Sequence, residues 1–257
     1  MPLFAPYLWP YYLFMALFGL AIGSFLNVCI WRIPRNESIS RGRSHCVKCN
    51  TQLKAYELVP LISYIFLRGK CRTCGTRISP LYPLVELLGS AAFVVAAIVY
   101  GFTPLAPVMG LFFCTLIAIS FIDLHTHTIP DALVITIAAL AVLSYLCPPP
   151  QLTIASRLIG SVCVSIPMLV IAIFTHGFGF GDVKLMAAAG LILGWKLTLT
   201  AFLMAALLGG IAGAILLITK KANGKTAIAF GPFLCVGLML SACFGEAIIS
   251  AYLSLIL

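Results

Sequence analysis

A chain of 257 residues with 62% hydrophobic and only 9% charged side chains, at a mean hydropathy of +1.11, lies outside the composition of soluble globular domains. Sixteen Lys and Arg stand against seven Asp and Glu, a net charge of +9, and on so apolar a chain clustered basic residues report membrane orientation before they report nucleic acid. The fold class expected is an all-α polytopic membrane protein with lipid around it and no nucleic-acid partner.

In chain order, no basic residue precedes the first apolar run and no small-residue cleavage site follows it, so residues 8–30 are expected to remain as a span. Apolar runs near the roughly 20 residues that cross hydrocarbon as helix place further spans at 81–101, 105–122, 131–147, 154–175, 183–194, 197–218 and 228–257, eight in all. The sixth is short, bounded by Asp182 and Lys184 on one side and Gly194-Trp195-Lys196 on the other. Residues Arg32 to Arg77 hold ten of the sixteen Lys and Arg, which fixes that loop in the cytoplasm and the N-terminus outside. With eight crossings Lys184, Lys220, Lys221 and Lys225 also fall inside, leaving only Arg157 and Lys196 outside. Gly190/Gly194 and Gly209/Gly213 are spaced for close helix packing.

This divides the chain into a first transmembrane helix at 1–35, a cytoplasmic domain at 36–79 and a transmembrane domain at 80–257. The cytoplasmic domain is too small to hold itself by apolar burial and needs a staple. Cys46-x2-Cys49 and Cys71-x2-Cys74, 21 residues apart, offer four thiolates in two knuckles, the donor set of a structural Zn²⁺ site. The spacer is slightly longer than usual, but Asn50 and Gly75 each follow a knuckle, where tolerance of positive φ lets the chain turn back. Reducing cytoplasm makes disulfides or redox thiols the weaker reading. His45 is a possible substitute ligand, and the remaining cysteines, Cys29, Cys114, Cys147, Cys163, Cys235 and Cys243, read as packing residues.

The three aspartates fall at the cytoplasmic ends of spans, Asp123 and Asp131 in FIDLHTHTIPD and Asp182 in GFGFGDVK, where a carboxylate is costly unless paired, protonated or used. Asp131 follows Pro130 and opens a span, so helix capping is its main expectation. Capping stays open for Asp182 too, but Gly177, Gly179 and Gly181 before it remove side chains from the approach of an extended substrate. Asp123 ends a span, where a helix dipole disfavours an acid. Two carboxylates at one site cannot both ionise easily and share a proton, a state suited to peptide hydrolysis by an activated water. Asp123 with His125 and His127 could instead hold a metal; otherwise His125, His127 and His176 read as interfacial polar residues. No serine or cysteine sits in a nucleophile elbow.

Taken together, GSFLNVCIWRIP at 23–34, the two cysteine knuckles, YPLVELLG at 82–89, Asp123 to Asp131, GFGD at 179–182 and FGPF at 230–233 resemble the type IV prepilin peptidases, bifunctional leader peptidase/N-methyltransferases of the GxGD class of membrane aspartic proteases. The resemblance runs over nearly the whole chain. It implies Asp123 and Asp182 as the catalytic dyad, with Asp131, Gly179, Gly181 and Lys184 supporting. It implies a bacterial inner-membrane enzyme with its chemistry on the cytoplasmic side. Its substrates would be type IV prepilins or type II secretion pseudopilins, cut after a glycine that ends a basic leader and then N-methylated from S-adenosylmethionine. Glu86, an acid inside the second span, is the candidate for methyl-donor contact, with a buried helix–helix hydrogen bond or an interfacial acid near the membrane surface as its alternative, and Asn27 is expected to bond between helices. Leader charges are positive, so the basic loop is expected to act by shape or by holding anionic lipid head groups. The rival readings are a proton- or cation-coupled transporter using the same aspartates, with Lys184 as counter-charge, and a zinc-bearing membrane adaptor without catalysis.

Overall fold

The computed structural model of the chain describes residues 8–147, 152–175, 177–219 and 229–256. His176 and Lys220, Lys221 and Lys225 lie outside the described residues. Nine helices are found among those described: α1 (Trp9–Arg32), α2 (Ile62–Phe66), α3 (Leu81–Tyr100), α4 (Leu105–Thr126), α5 (Asp131–Tyr145), α6 (Ile154–Cys163), α7 (Ser165–Thr175), α8 (Phe180–Ile218) and α9 (Gly231–Ile256). Two isolated β-bridges are the only extended pairing among the described residues. The chain divides into two compact units, Met1–Ala118 and Ile119–Leu257, with the boundary inside α4.

In the first unit α1 opens on Pro10, whose fixed φ suits a first turn, and ends at Arg32. The Arg32 guanidinium then ties the following loop through the Ser38, Arg41 and Gly42 carbonyls at 2.9, 2.7 and 3.3 Å. The α1 and α3 backbones approach through glycines: a Cβ on Gly23 would lie 2.7 Å from Glu86 Cα, and one on Gly89 2.7 Å from the Gly19 carbonyl oxygen. Asn27 Nδ2 donates to the Tyr82 carbonyl on α3 at 3.1 Å, the interhelical bond expected of it. On α4 the side chains of Phe112, Phe113 and Leu116 are fully buried.

In the second unit the apolar stretch 154–175 is two helices, α6 and α7, separated by a turn at Val164, because Pro167 has no N–H with which to continue the ladder back to Cys163. The more consequential break is in α8. Gly194 has φ 75° and ψ 170°, so this 39-residue element is two arms, 180–193 and 195–218. The break comes where the sequence placed the Gly194-Trp195-Lys196 turn. Arg157, only 5% exposed, braces it: Nη1 donates to the Leu191 carbonyl at 3.0 Å and to Ser144 Oγ at 2.8 Å, and Nη2 to the Ser144 carbonyl at 3.3 Å. Gly160 and Gly190 bring α6 against the first arm so closely that a Cβ on Gly160 would sit 2.6 Å from the Gly190 carbonyl oxygen.

Among the described residues six helical segments are long and apolar enough to cross a bilayer, with α6 and α7 counted together as one; α5, at 15 residues, is shorter and apolar.

Candidate active site and metal centre

Asp123 lies in the last turn of α4 and Asp182 in the first turn of α8, 5% and 8% exposed. Neither carboxylate is left without a donor. Asp182 Oδ2 accepts the N–H of Gly179 at 3.2 Å, so the capping role held open for it is real: it closes the first turn of its own helix. Asp123 stands at the unfavourable end of α4, but its Oδ2 accepts the N–H of Gly231 at 3.1 Å. Gly231 is the first residue of α9, so Asp123 borrows the positive end of a different helix. That contact requires glycine, since a Cβ on Gly231 would lie 2.5 Å from Asp123 Oδ2. Pro232, without an N–H, follows at the second helical position, where none is needed.

The two carboxyls are within electrostatic reach of each other, and both are within reach of the buried Cys235 thiol on α9, which also meets Ser120. Phe178 packs on Phe230 at a ring separation of 5.3 Å, which joins the glycine loop before Asp182 to the segment that opens α9. Sequence reasoning placed Phe230 and Gly231 in the FGPF motif and read Cys235 as a packing residue, but linked none of these, nor Phe178, to the aspartates. The signal available for Gly231 was the Gly-Pro pair opening an apolar run, and nothing local linked it to a residue 108 positions earlier.

The supporting residues divide. Asp131 does open α5, as expected, but its side chain makes no cap. It instead forms an exposed ion pair with Lys184 on α8 at 2.8 Å. Asp131 is the first helical residue and not the N-cap, the position from which a side chain reaches the N–H groups of the first turn, and the Lys184 ammonium supplies a partner instead. Lys184 is therefore the counter-charge of Asp131. Gly181 serves packing: a Cβ there would meet Ile129 Cβ at 2.9 Å, so the loop joining α4 to α5 rests on the first turn of α8. Gly179 supplies the N–H that holds Asp182. Asp123, His125 and His127 do not form a converging ligand group; among the described residues the grouping whose ligand atoms converge is the four cysteines. His125 Nδ1 instead donates to the Phe121 carbonyl at 2.7 Å, while His127 lies within electrostatic reach of Asp123.

The four sulfurs lie within 4.8 Å of one another. Cys46 and Cys74 Sγ are 3.8 Å apart and Cys49 and Cys71 Sγ 4.0 Å, and all ten cysteines are free. Zn–S bonds of about 2.3 Å in a tetrahedron put sulfurs roughly 3.8 Å apart, against about 2.05 Å in a disulfide. The donor set therefore fits a tetrahedral metal, and its sulfur separations are those of a metal site and not of a disulfide. The two knuckles share one backbone pattern: Cys46 N–H bonds Thr51 O and Asn50 N–H bonds Cys46 O, as Cys71 N–H bonds Thr76 O and Gly75 N–H bonds Cys71 O. Asn50 and Gly75 have φ of 54° and 67°, as the sequence required. N–H groups of Cys49 and Lys48 directed at Cys46 push its thiol down, and the Thr76 hydroxyl and N–H beside Cys74 push that thiol down to about 6. Both settings favour the thiolate, the metal-binding form. His45 is exposed and outside the cluster.

Glu86 is buried on α3, and its Oε2 accepts the N–H of Leu61 at 2.8 Å. Of the roles open to it, methyl-donor contact, a helix–helix bond or an interfacial acid, the bond found is to the cytoplasmic segment, as an acid near the membrane surface can make.

Residues 17–100 match the bacterial peptidase A24 N-terminal domain and residues 110–214 the type IV leader peptidase family. A prepilin leader peptidase/N-methyltransferase of Bacillus subtilis (strain 168) is 35% identical, over 94% of this chain and 97% of its own. Proteins of the same description from Legionella pneumophila and Pseudomonas aeruginosa are 32% and 30% identical, covering 96% and 92% of this chain and 96% and 91% of their own. No solved structure is significantly similar. With relatives matched end to end at this identity, and with both halves of the chain accounted for, the protein belongs to the type IV leader peptidase family.

Proposed function

We propose that the chain removes the basic leader of a type IV prepilin or type II secretion pseudopilin after a glycine, with Asp123 and Asp182 as the catalytic dyad, and then methylates the exposed amino group. The observation that carries this reading is the pair of buried carboxyls, each held by one helix N-terminal N–H and within electrostatic reach of the other. A pair in that setting shares one proton. The ionised member takes a proton from the attacking water as the water oxygen bonds to the scissile carbonyl carbon. The protonated member donates to the carbonyl oxygen, and collapse of the tetrahedral species returns a proton to the leaving amine. Gly231 and Gly179 hold one oxygen of each carboxylate, which limits rotation and keeps the pair in register. The Asp131–Lys184 ion pair and the Gly181–Ile129 packing support the same end of the site from outside.

S-adenosylmethionine would supply an electrophilic methyl group to the freed amine. The family names support that half, and Glu86 belongs to it as a buried carboxylate beneath the cytoplasmic segment, with the Leu61 bond as a shared duty. Cys46, Cys49, Cys71 and Cys74 would hold Zn²⁺ as a structural cross-link between knuckles.

The membrane arrangement in this reading has eight crossings. Unbroken, α8 would run about 58 Å, nearly twice the roughly 30 Å of hydrocarbon; broken at Gly194 it supplies two crossings, and α5 adds a short one to the remaining five. That count keeps both aspartates at the cytoplasmic face beside a leader that never enters the membrane. The transporter alternative has no support in the relatives.

Coexpression with a prepilin tests the reading. The wild type is expected to give a leader-sized mobility shift, and Asp123→Asn and Asp182→Asn none; full cleavage by either variant refutes the dyad. Mass spectrometry of the pilin N-terminus reads cleavage and methylation separately.

A further inference from the structure

The cytoplasmic segment between the knuckles carries an apolar surface that the peptidase chemistry leaves unused. Along α2 and its two capping residues, Leu61, Tyr64 and Leu67 are half-buried, and Tyr64 donates to the Ile78 carbonyl at 3.5 Å beside the second knuckle. The opposite face is equally apolar and bare, with Ile62, Ile65 and Phe66 exposed by 54%, 71% and 83%. Three large side chains on one and a half turns, all facing out, would be a costly surface in water.

Depth resolves the cost. Leu61 N–H bonds Glu86, the sixth residue of the membrane-spanning α3. At about 1.5 Å per residue, that carboxylate lies roughly 7 Å beyond the start of α3. The start of α2 is therefore level with the first two turns of a span whose Leu84 and Leu87 are exposed by 45% and 51% on the apolar surface that lipid covers. Exposed Arg68, Lys70, Arg72 and Arg77 follow it in the chain, with no acid between them. An apolar wedge followed by a run of cations at the mouth of a span has the chemistry of a helix lying in an anionic membrane interface.

We infer that α2 is a membrane-interface wedge: Ile62, Ile65 and Phe66 insert between the head groups of the cytoplasmic leaflet, and Arg68, Lys70, Arg72 and Arg77 hold anionic lipid phosphates. The four-cysteine domain is thereby pinned flat on the bilayer by three attachments, namely its two flanking helices and this wedge. A pinned domain presents a fixed surface to a leader emerging from the same interface, where a domain on flexible tethers would not.

The experiment uses the full chain in lipid nanodiscs. Phe66→Trp is compared with the parent chain in discs of phosphatidylcholine and of phosphatidylglycerol, each with and without bromine on the upper acyl carbons. The added tryptophan is expected to emit to the blue of an exposed indole, to be quenched by brominated chains, and to be quenched more in phosphatidylglycerol. Arg68→Gln with Arg72→Gln should remove that lipid preference and leave the quenching. An added tryptophan unquenched in both lipids overturns the wedge, including the case of blue emission without quenching, which would mean that a second protein copy covers it. Quenching equal in the two lipids overturns the anionic-lipid assignment. Ile65→Trp repeats the measurement at a neighbouring exposed position should Phe66→Trp fail to fold.

Discussion

Replacing Gly231 by alanine tests the geometry of the proposed dyad through a residue that has no side chain to do chemistry. The new methyl would fall 2.5 Å from Asp123 Oδ2 and 3.0 Å from its Cγ. Even the tightest contact that packed atoms tolerate would require the carboxylate to retreat by roughly half an ångström. The retreat lengthens or breaks the 3.1 Å bond from the Gly231 N–H, so the carboxylate loses both its position and its donor. Misplacing a reacting group by about 1 Å costs about 100-fold in rate, or about 2.7 kcal/mol of transition-state stabilisation. A loss of kcat between tenfold and that figure, about 10- to 100-fold, is therefore expected on a prepilin substrate, with KM little changed because the substrate's remote contacts are untouched. The assay is steady-state cleavage by purified protein in detergent or nanodiscs, with thermal unfolding as the control for folding. Unchanged kcat in a normally folded variant would refute the claim that the α9 N-terminus positions Asp123.

Four further outcomes follow. Cys46→Ser with Cys71→Ser should abolish stoichiometric zinc in the purified protein, and retention of the metal would count against the four-thiolate site. In chelator-stripped protein, the Cys74 thiol at about 6 against an ordinary value near 9 means that thiolate persists as pH falls from 9 and is lost only through about pH 6; alkylation of Cys74 should follow that window, and zinc should suppress it. Arg157→Leu should leave the Ser144 hydroxyl and the Leu191 carbonyl without the guanidinium at a break buried within the protein, costing about 2–4 kcal/mol, read as a lower unfolding temperature. Gly160→Ala should disrupt the α6 contact with the first arm of α8, also as lost stability, whereas Gly210→Ala, with open space at its Cβ, should be silent.

Which parts of this were legible in the sequence follows from the range of the forces involved. The knuckles were readable because a Cys-x2-Cys turn is local, and both Asn50 and Gly75 took the positive φ that their positions demanded. The break in α8 was readable for a similar reason: Gly194 with Trp195 and Lys196 interrupts an apolar run. Asp131 was misread in part, since its position at the helix start is local but its partner, Lys184, is 53 residues away. Glu86 shows the same limit. An acid in a span demands a partner, yet nothing in YPLVELLG says that the partner is the amide of Leu61. The division of 154–175 into α6 and α7 needed the proline's missing donor to be weighed against a continuous apolar pattern, and the pattern is the stronger signal to the eye.

The arrangement at Asp123 and Asp182 answers a difficulty that composition alone poses. A chain with only seven acids buries two of them close together, where desolvation and mutual repulsion both oppose ionisation. If each carboxyl were fully paired with a cation, the pair would be stable and inert, because no proton would be shared. If each were bare, neither would ionise to activate water. One helix N-terminal amide apiece, Gly179 for Asp182 and Gly231 for Asp123, lies between those limits. A single N–H and a partial helix charge lower the cost of one negative charge on the pair without removing the penalty for a second. Lys184, the full cation two residues along α8 and on a different face of that helix, is paired with Asp131. On this reading the ion pair protects the dyad's shared proton, so Asp131→Asn should leave the Lys184 charge uncompensated beside the site and shift the upper limb of the pH–rate profile. A profile identical to wild type would show that Asp131 and Lys184 serve only to fasten α5 to α8.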